Sequence, residues 1–270
     1  MSKRQLANLM PRSWVRAVRY RRTEFFLISY PKSGRTWLRL MIGRAITTHY
    51  NLQVNNLLGL SQLAKLHPAI PRILVNHDDN PHMKTLKELT WDKRPYRHGK
   101  VIFLARDPRD VLVSLYFHKS RRDHAFTGTL SQFIDAPIGG FDSILRFYQI
   151  WAHSMHVPKG FHLIRYEDLH NRPEAELKKL FTFMNLSDFS SKTIAEAVAF
   201  ARFDRMQKME QQGQFQETNR LLPGNAADTE SFKTRRGKVS GYSDYLSAAE
   251  IEELNGRMRR HLSPIFKYTS

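Results

Sequence analysis

The chain has 270 residues, 41% hydrophobic and 11% aromatic, which is enough to build one large domain around a core and excludes general disorder. Lys plus Arg number 43 against 25 Asp plus Glu, and the formal charge of +18 points to a polyanionic partner: nucleic acid, a phosphorylated cofactor, an anionic membrane or a sulfated polymer. Cysteine is absent, which excludes disulfides, cysteine nucleophiles, thiolate zinc sites and iron–sulfur clusters, and the longest apolar runs, such as 101–105, are too short to span a bilayer.

Residues 1–23 form a basic N-terminal segment with Arg12, Arg16, Arg19, Arg21 and Arg22. Trp14, Val15 and Val18 fall at helical spacing, so the segment reads as a solvated helix resting on the main domain, 24–270. The apolar run 25–30 is of strand type and meets Pro31-Lys32-Ser33-Gly34-Arg35-Thr36. Leu38, Met41, Ile42, Ala45 and Ile46 then recur at helical spacing. Strands are also predicted at 72–76, 100–105 and 161–165. Helices are predicted at 108–119, with Pro108 in the first turn, at 174–185, and near 141–156, 190–199, 202–211 and 247–262. Residues 212–231 read as a polar loop. The alternation implies an α/β single domain with a central parallel β-sheet flanked by helices, P-loop-like in character.

Three segments carry chemistry. Tyr30 to Trp37 joins a buried strand to a helix N-terminus, where backbone N–H groups, Lys32, Ser33 and Thr36 can cradle an anion. It is not a Walker A loop, which needs G-x-x-x-x-G-K-S/T; here the lysine precedes a single glycine. Arg106 ends a strand, and Ser114 lies two helical turns on, facing the same crevice outside the strand ends. An Arg106–Asp110 ion pair with Ser114 as a small packing residue is the bland alternative. The third segment, 232–242, sets Arg235, Arg236 and Lys238 around Gly237 and reads as a phosphate clamp or a solvated basic turn.

In order and spacing these segments resemble the sulfotransferases that use 3′-phosphoadenosine 5′-phosphosulfate (PAPS). The family's Tyr-Pro-Lys-Ser-Gly-Thr-Thr-Trp loop is matched by Tyr30 to Trp37, with Arg35 in place of a threonine. Its strand-end arginine with a serine eight residues later is matched by Arg106 and Ser114, its Y-E-D-L segment by Tyr166 to Leu169, and its late R-K-G loop by Arg235-Arg236-Gly237. The likeness runs from about residue 25 to 262. It implies that Lys32, Ser33, Gly34, Arg35, Thr36 and Trp37 hold the 5′-phosphosulfate. It assigns the 3′-phosphate to Arg106, Ser114, Arg235, Arg236 and Gly237, and the adenine to Tyr166 and Phe203, with Trp37 nearby. Residues 71–77 resemble the family segment that ends in the catalytic histidine, so His77 is the implied general base. Lys32 would stabilise the leaving group, and Ser114 would restrain Lys32 until the acceptor arrives.

Departures from the pattern are Arg35, Val75 and Asn76 before the histidine, Arg202 before Phe203, and Ser240 and Tyr242 in the late loop. The family's C-terminal dimer motif has no match. The run His77-Asp78-Asp79 with His82 reads as loop and catalytic residues, with no metal expected. The implied donor is PAPS, the product 3′,5′-bisphosphoadenosine, and the acceptor a small organic molecule. Its pocket is expected within 51–70, 78–98, 119–145 and 210–232, with Trp91, Tyr96, Phe117, His118, Phe126, Phe133 and Phe215 as walls. No nucleic-acid partner and no integral membrane association are expected, and with no apolar leader the expected location is the cytoplasm. The rivals are a nucleotide kinase, which lacks its Walker lysine, and a nucleic-acid-binding protein, which rests on charge without a reader motif.

Overall fold

Strand β1 (Phe25–Ser29) is buried at every position in the computed structural model, which describes residues 11–215, 221, 225 and 228–268. The reason is that both faces are covered. Phe25 and Leu27 belong to one apolar cluster, Phe26 and Ile28 to the other, the two-residue alternation of a parallel strand between two helical layers. Strands β2 (Ile73–Asn76), β3 (Lys100–Ala105) and β4 (Gly160–Arg165) complete one parallel sheet of order β2-β1-β3-β4. Ile28 lies opposite Asn76 on one side and Phe103 on the other, and Ala105 lies opposite Arg165. The C-terminal ends of the strands therefore meet along one edge.

The helices, in chain order, are α1 (Arg12–Arg21), α2 (Arg35–His49), α3 (Leu60–Leu63), α4 (Pro108–Phe117), α5 (Leu130–Ile134), α6 (Phe141–His153), α7 (Tyr166–Asn171), α8 (Pro173–Phe183), α9 (Ser191–Phe200), α10 (Phe203–Gln211) and α11 (Ala248–His261). Leu38, Met41, Ile42, Ala45 and Ile46 of α2 share the first cluster with Leu177, Leu180 and Phe181 of α8 and Ile194 of α9. Val111, Leu112 and Leu115 of α4 share the second with Tyr148 and Trp151 of α6 and Leu254 and Met258 of α11. The molecule is a single α/β domain with helices on both faces of a four-stranded parallel sheet.

The predicted strands and long helices all form, with ends moved by a few residues. Short helices α3, α5 and α7 were not foreseen, because four to six residues hold too little periodicity to register. The helix expected over 108–119 ends as α at Phe117 and widens into a π turn, His118–Arg122. Helix α1 differs more. Trp14, Val15 and Val18 are exposed, so the expected apolar face does not rest on the domain. Tyr20 makes the contact instead: its ring lies 5.2 Å from Phe26 and 5.3 Å from Tyr96, and its hydroxyl accepts from Asn76 Nδ2. Pro223 and Gly224 of the expected 212–231 loop lie outside the described residues.

Candidate active site

The chain leaves β1 through Tyr30, whose buried hydroxyl is 3.0 Å from Ser143 Oγ. Lys32 (φ 73°) and Gly34 (φ 89°) are both left-handed, which coils the backbone before α2. Gly34 is required twice over: its φ suits glycine, and a Cβ there would lie 2.6 Å from the Tyr166 ring. Helices α4, α9 and α11 are capped by side chains of Asp107, Ser190 and Ser247. Helix α2 starts on Gly34 with no side-chain cap and no acid in its first turn, so its positive end is presented to an anion. Burial, with Lys233 and Arg122 nearby, lowers the Lys32 pKa to about 7.

Arg106 follows β3 and ties the site together. It donates to the carbonyls of Lys32 (3.2 Å) and Lys238 (3.0 Å), lies 4.4 Å over the Tyr166 ring and faces Asp110 at 3.4 Å. The expected ion pair with Asp110 thus coexists with a place in the cavity, which Ser114 also lines. Arg106 Nε is buried with no hydrogen-bond partner among the described residues, a donor of the kind an anion satisfies. Gly237 (φ 62°) carries the Phe203 ring so closely that a Cβ would lie 2.5 Å from it, and Tyr166 donates its hydroxyl to Gly237 O. Trp37 and Tyr166 meet edge to face at 5.6 Å. Arg235 lies over Phe117 and pairs with Glu230 at 2.8 Å, while Arg236 and Lys238 pair with Asp244.

His77 follows β2 on the other side of β1. Its Nδ1 is 2.8 Å from Ser29 O, and its Nε2 is 2.6 Å from Arg35 Nη2. A carbonyl only accepts, so Nδ1 carries the proton, and the Nε2 lone pair accepts from Arg35. Burial, and then the Arg35 guanidinium, hold the His77 pKa well below the usual imidazole range. The next residues, Asp78, Asp79 and Asn80, are all left-handed, a costly run held by a clamp. Asp78 pairs with Lys93 at 2.6 Å and accepts from Tyr96 and Trp151. Its carboxylate is therefore committed to structure, and among the described residues no cluster of three or more His, Asp or Glu is placed to hold a metal.

A cavity of about 700 Å³ joins these parts. Every residue singled out from the sequence for catalysis or for the donor lines it except Ser33, whose side chain is wholly buried.

The chain matches the profile of the family described as "Sulfotransferase domain" over residues 22–265. The chain belongs to the sulfotransferase family. This sulfotransferase is 24% identical over 266 residues to cytosolic sulfotransferase 17 of Arabidopsis thaliana, covering 88% of this chain and 74% of that one. It is 26% identical over 197 residues to sulfotransferase 1A1 of Rattus norvegicus, covering 68% and 67%. Its fold is similar to that of mouse sulfotransferase SULT7A1 complexed with PAP (TM-score 0.61, 20% identity, 92% and 90% covered). It is also similar to that of retinol dehydratase complexed with retinol and PAP (TM-score 0.61, 18% identity, 89% and 81% covered).

The expected acceptor walls need correction. Of the seven residues named for them, only His118 lines the cavity of this sulfotransferase. Tyr96, Phe133 and Phe215 are buried in the core, Phe126 packs on Phe133, Phe117 lies under Arg235, and Trp91 is exposed elsewhere. Asn80, His82, Met83, Val113 and His118 line the cavity together with His77, as do Lys233 and Arg39. Five of the six aromatic residues pack in or against the two apolar clusters instead, because a large ring gains more from full burial than from a cavity wall. Lys233 lies inside the predicted 232–242 segment, two residues before Arg235, although it is not among the residues singled out there.

Proposed function

We propose that this sulfotransferase moves a sulfuryl group from PAPS to a hydroxyl, or an amine, of a small organic acceptor. PAPS supplies the group as SO₃, and the electrons of the broken S–O bond stay on the departing 3′,5′-bisphosphoadenosine. Arg106, Ser114, Arg235, Arg236 and Gly237 hold the 3′-phosphate, and Trp37, Tyr166 and Phe203 hold the adenine. The 5′ end lies on Lys32, Gly34, Arg35, Thr36, Trp37 and the Ser33 backbone, at the uncapped start of α2. His77 Nε2 takes the acceptor proton as the new S–O bond forms, worth about 10²–10⁴-fold in rate. Lys32 and the α2 N–H groups stabilise the charge that grows on the leaving oxygen, as preorganised donors do. Ser114 restrains Lys32 beforehand. Residues 24–270 perform this chemistry, with 1–23 as an attached basic segment.

The observation that carries the reading is the convergence of three anion-holding segments, 32–37, 106–114 and 235–238, on one cavity that His77 also lines. The residues fit the donor: Gly34 and Gly237 let the Tyr166 and Phe203 rings close in where a Cβ would collide, and Arg106 Nε–H is available to an anion. The cytoplasm is the proposed location. The curated relatives named above include a cytosolic enzyme, and among the described residues no helix is long and apolar enough to cross a membrane.

Calorimetric titration with 3′,5′-bisphosphoadenosine, AMP and ATP tests this. Selective binding of the bisphosphate is expected, and His77→Ala should keep that binding while losing turnover. Equal binding of all three nucleotides, or none, would overturn the reading.

A further inference from the structure

Helix α1 holds the domain by one side and turns the other to water. Tyr20 packs on Phe26 and Tyr96. Thr23, just past the helix, is buried and donates its hydroxyl to Arg19 O at 2.9 Å. At about 100° per residue, Trp14, Val15 and Val18 fall on one stripe opposite Tyr20. Trp14 is 61% exposed, and Val15 and Val18 are exposed beside it. A single exposed apolar side chain is ordinary, but three on one helix face, one of them a tryptophan, mark a surface that binds something.

The rim of the stripe is basic. On the same helical geometry Arg21 flanks it on one side and Arg19 on the other, with Arg16 beyond and Arg22 just after the helix. All four are exposed, and none forms an ion pair among the described residues. Residues 1–23 contain no aspartate or glutamate, and the next residue, Glu24, has its carboxylate on the Arg72 backbone N–H at 2.9 Å. The basic field continues past the helix. His98 has its pKa lowered by burial and then by Arg97, Arg21 and Lys159, so these cations lie close together.

We propose that α1 lies on the surface of an anionic bilayer, with Trp14, Val15 and Val18 among the headgroups and upper acyl chains and its arginines on lipid phosphates. Tryptophan suits that depth because its ring is apolar and its N–H is polar. Arginine meets phosphate with paired N–H groups. A bilayer answers both halves of the face, whereas an acidic protein or a nucleic acid would satisfy the arginines and leave the Trp–Val stripe wet. The helix has 10 residues, so it lies along the surface and does not span it. No residue of α1 lines the donor cavity, and the inference is independent of the proposed transfer.

The test is co-sedimentation of the full chain with vesicles of phosphatidylcholine alone, or of phosphatidylcholine with about one-third phosphatidylglycerol. Binding is expected on the anionic vesicles and should fall about tenfold or more as NaCl rises from roughly 50 to 500 mM. A chain of +18 charge adheres to anionic surfaces in many orientations, so the variants decide. Arg19→Gln with Arg21→Gln should weaken binding about tenfold or more, and Trp14→Ala about tenfold. These side chains are exposed, so the unfolding midpoint and the calorimetric affinity for 3′,5′-bisphosphoadenosine should stay unchanged. Trp14 fluorescence, read as the signal missing from Trp14→Phe, should be quenched by acrylamide in the free protein. With vesicles present it should be quenched by acyl-brominated lipid, which adhesion by charge alone would not produce. Failure to bind, equal binding to both vesicles, binding that either variant leaves intact, or a Trp14 that brominated lipid does not reach would overturn the inference. So would a Trp14 already shielded in the free protein, which would mean that another part of the chain or a second copy covers the stripe. Binding to duplex DNA that the arginine variant loses, with none to vesicles, would assign the face to nucleic acid and overturn it too.

Discussion

Lys32 is a buried cation at the centre of the anion loop. Its pKa of about 7 arises from burial among cations, chiefly Lys233 and Arg122. A bound bisphosphate places anions beside it and raises that value. Below about pH 7 the ammonium is charged in both states, and binding moves no proton. Above it, binding must bring one in, so affinity is fullest at the low end and falls as pH rises. We expect 3′,5′-bisphosphoadenosine to bind up to about tenfold more weakly per pH unit between roughly pH 7.5 and 9. Calorimetry in buffers of different ionisation enthalpy should show uptake of up to one proton, and a pH-independent affinity over that range would show that Lys32 is already charged in the free protein. The importance of Lys32 was legible in its motif. The depressed pKa was not, because the burial that mainly causes it, and the nearby Lys233 and Arg122, come from segments far away in the chain.

Among the elements, α2 matters most, since its start forms the anion loop and its body forms the core. Leu38, Met41, Ile42, Ala45 and Ile46 were readable from helical spacing and are all buried. Gly43 was not interpretable from sequence, where glycine in a helix looks only like a weakness worth about 1 kcal/mol against alanine. The structure gives its reason: a Cβ at Gly43 would lie 2.1 Å from the Leu57 carbonyl oxygen, where the following segment crosses the helix. Overpacking against backbone outweighs the gain in propensity. Gly43→Ala should therefore lower stability by about 1–3 kcal/mol, measured by denaturant unfolding, instead of raising it. An unchanged or raised midpoint would show that the 52–59 segment yields easily. The π turn at His118–Arg122 was also unreadable. It follows the regular turns of α4, and it places His118 on the cavity wall and Arg122 beside Glu210 and the Ser231 carbonyl.

At the scale of the molecule, the charge of +18 has a focal point. Positive side chains from four separate stretches, 32–39, 106, 202 and 233–238, reach one cavity, so the field there is stronger than any single contact implies. Binding of the bisphosphate should weaken by about tenfold or more as NaCl is raised from roughly 50 to 500 mM, while staying selective over AMP. An affinity indifferent to salt would mean that the clamp works through short contacts with little long-range contribution. The basic composition thus predicted a polyanionic partner correctly in kind, though the much larger number of cations lies outside the cavity.

Local order was written in the chain: apolar runs for four strands, helical spacing for the long helices, and a loop motif with its strand-end arginine. These depend on neighbours a few residues apart, where backbone geometry and side-chain periodicity act directly. Which distant residues touch depended on strand order. Because β2 lies beside β1 in parallel register, with Ile28 opposite Asn76, the residue after β2 comes level with the last residue of β1, and His77 reaches Ser29 O. Because β3 lies on the other side of β1, Arg106 reaches the Lys32 carbonyl. The bond between Arg35 and His77 spans 42 positions and has no local signature. It exists because parallel strands need long crossovers, and the sheet, once closed, sets the ends of those crossovers side by side.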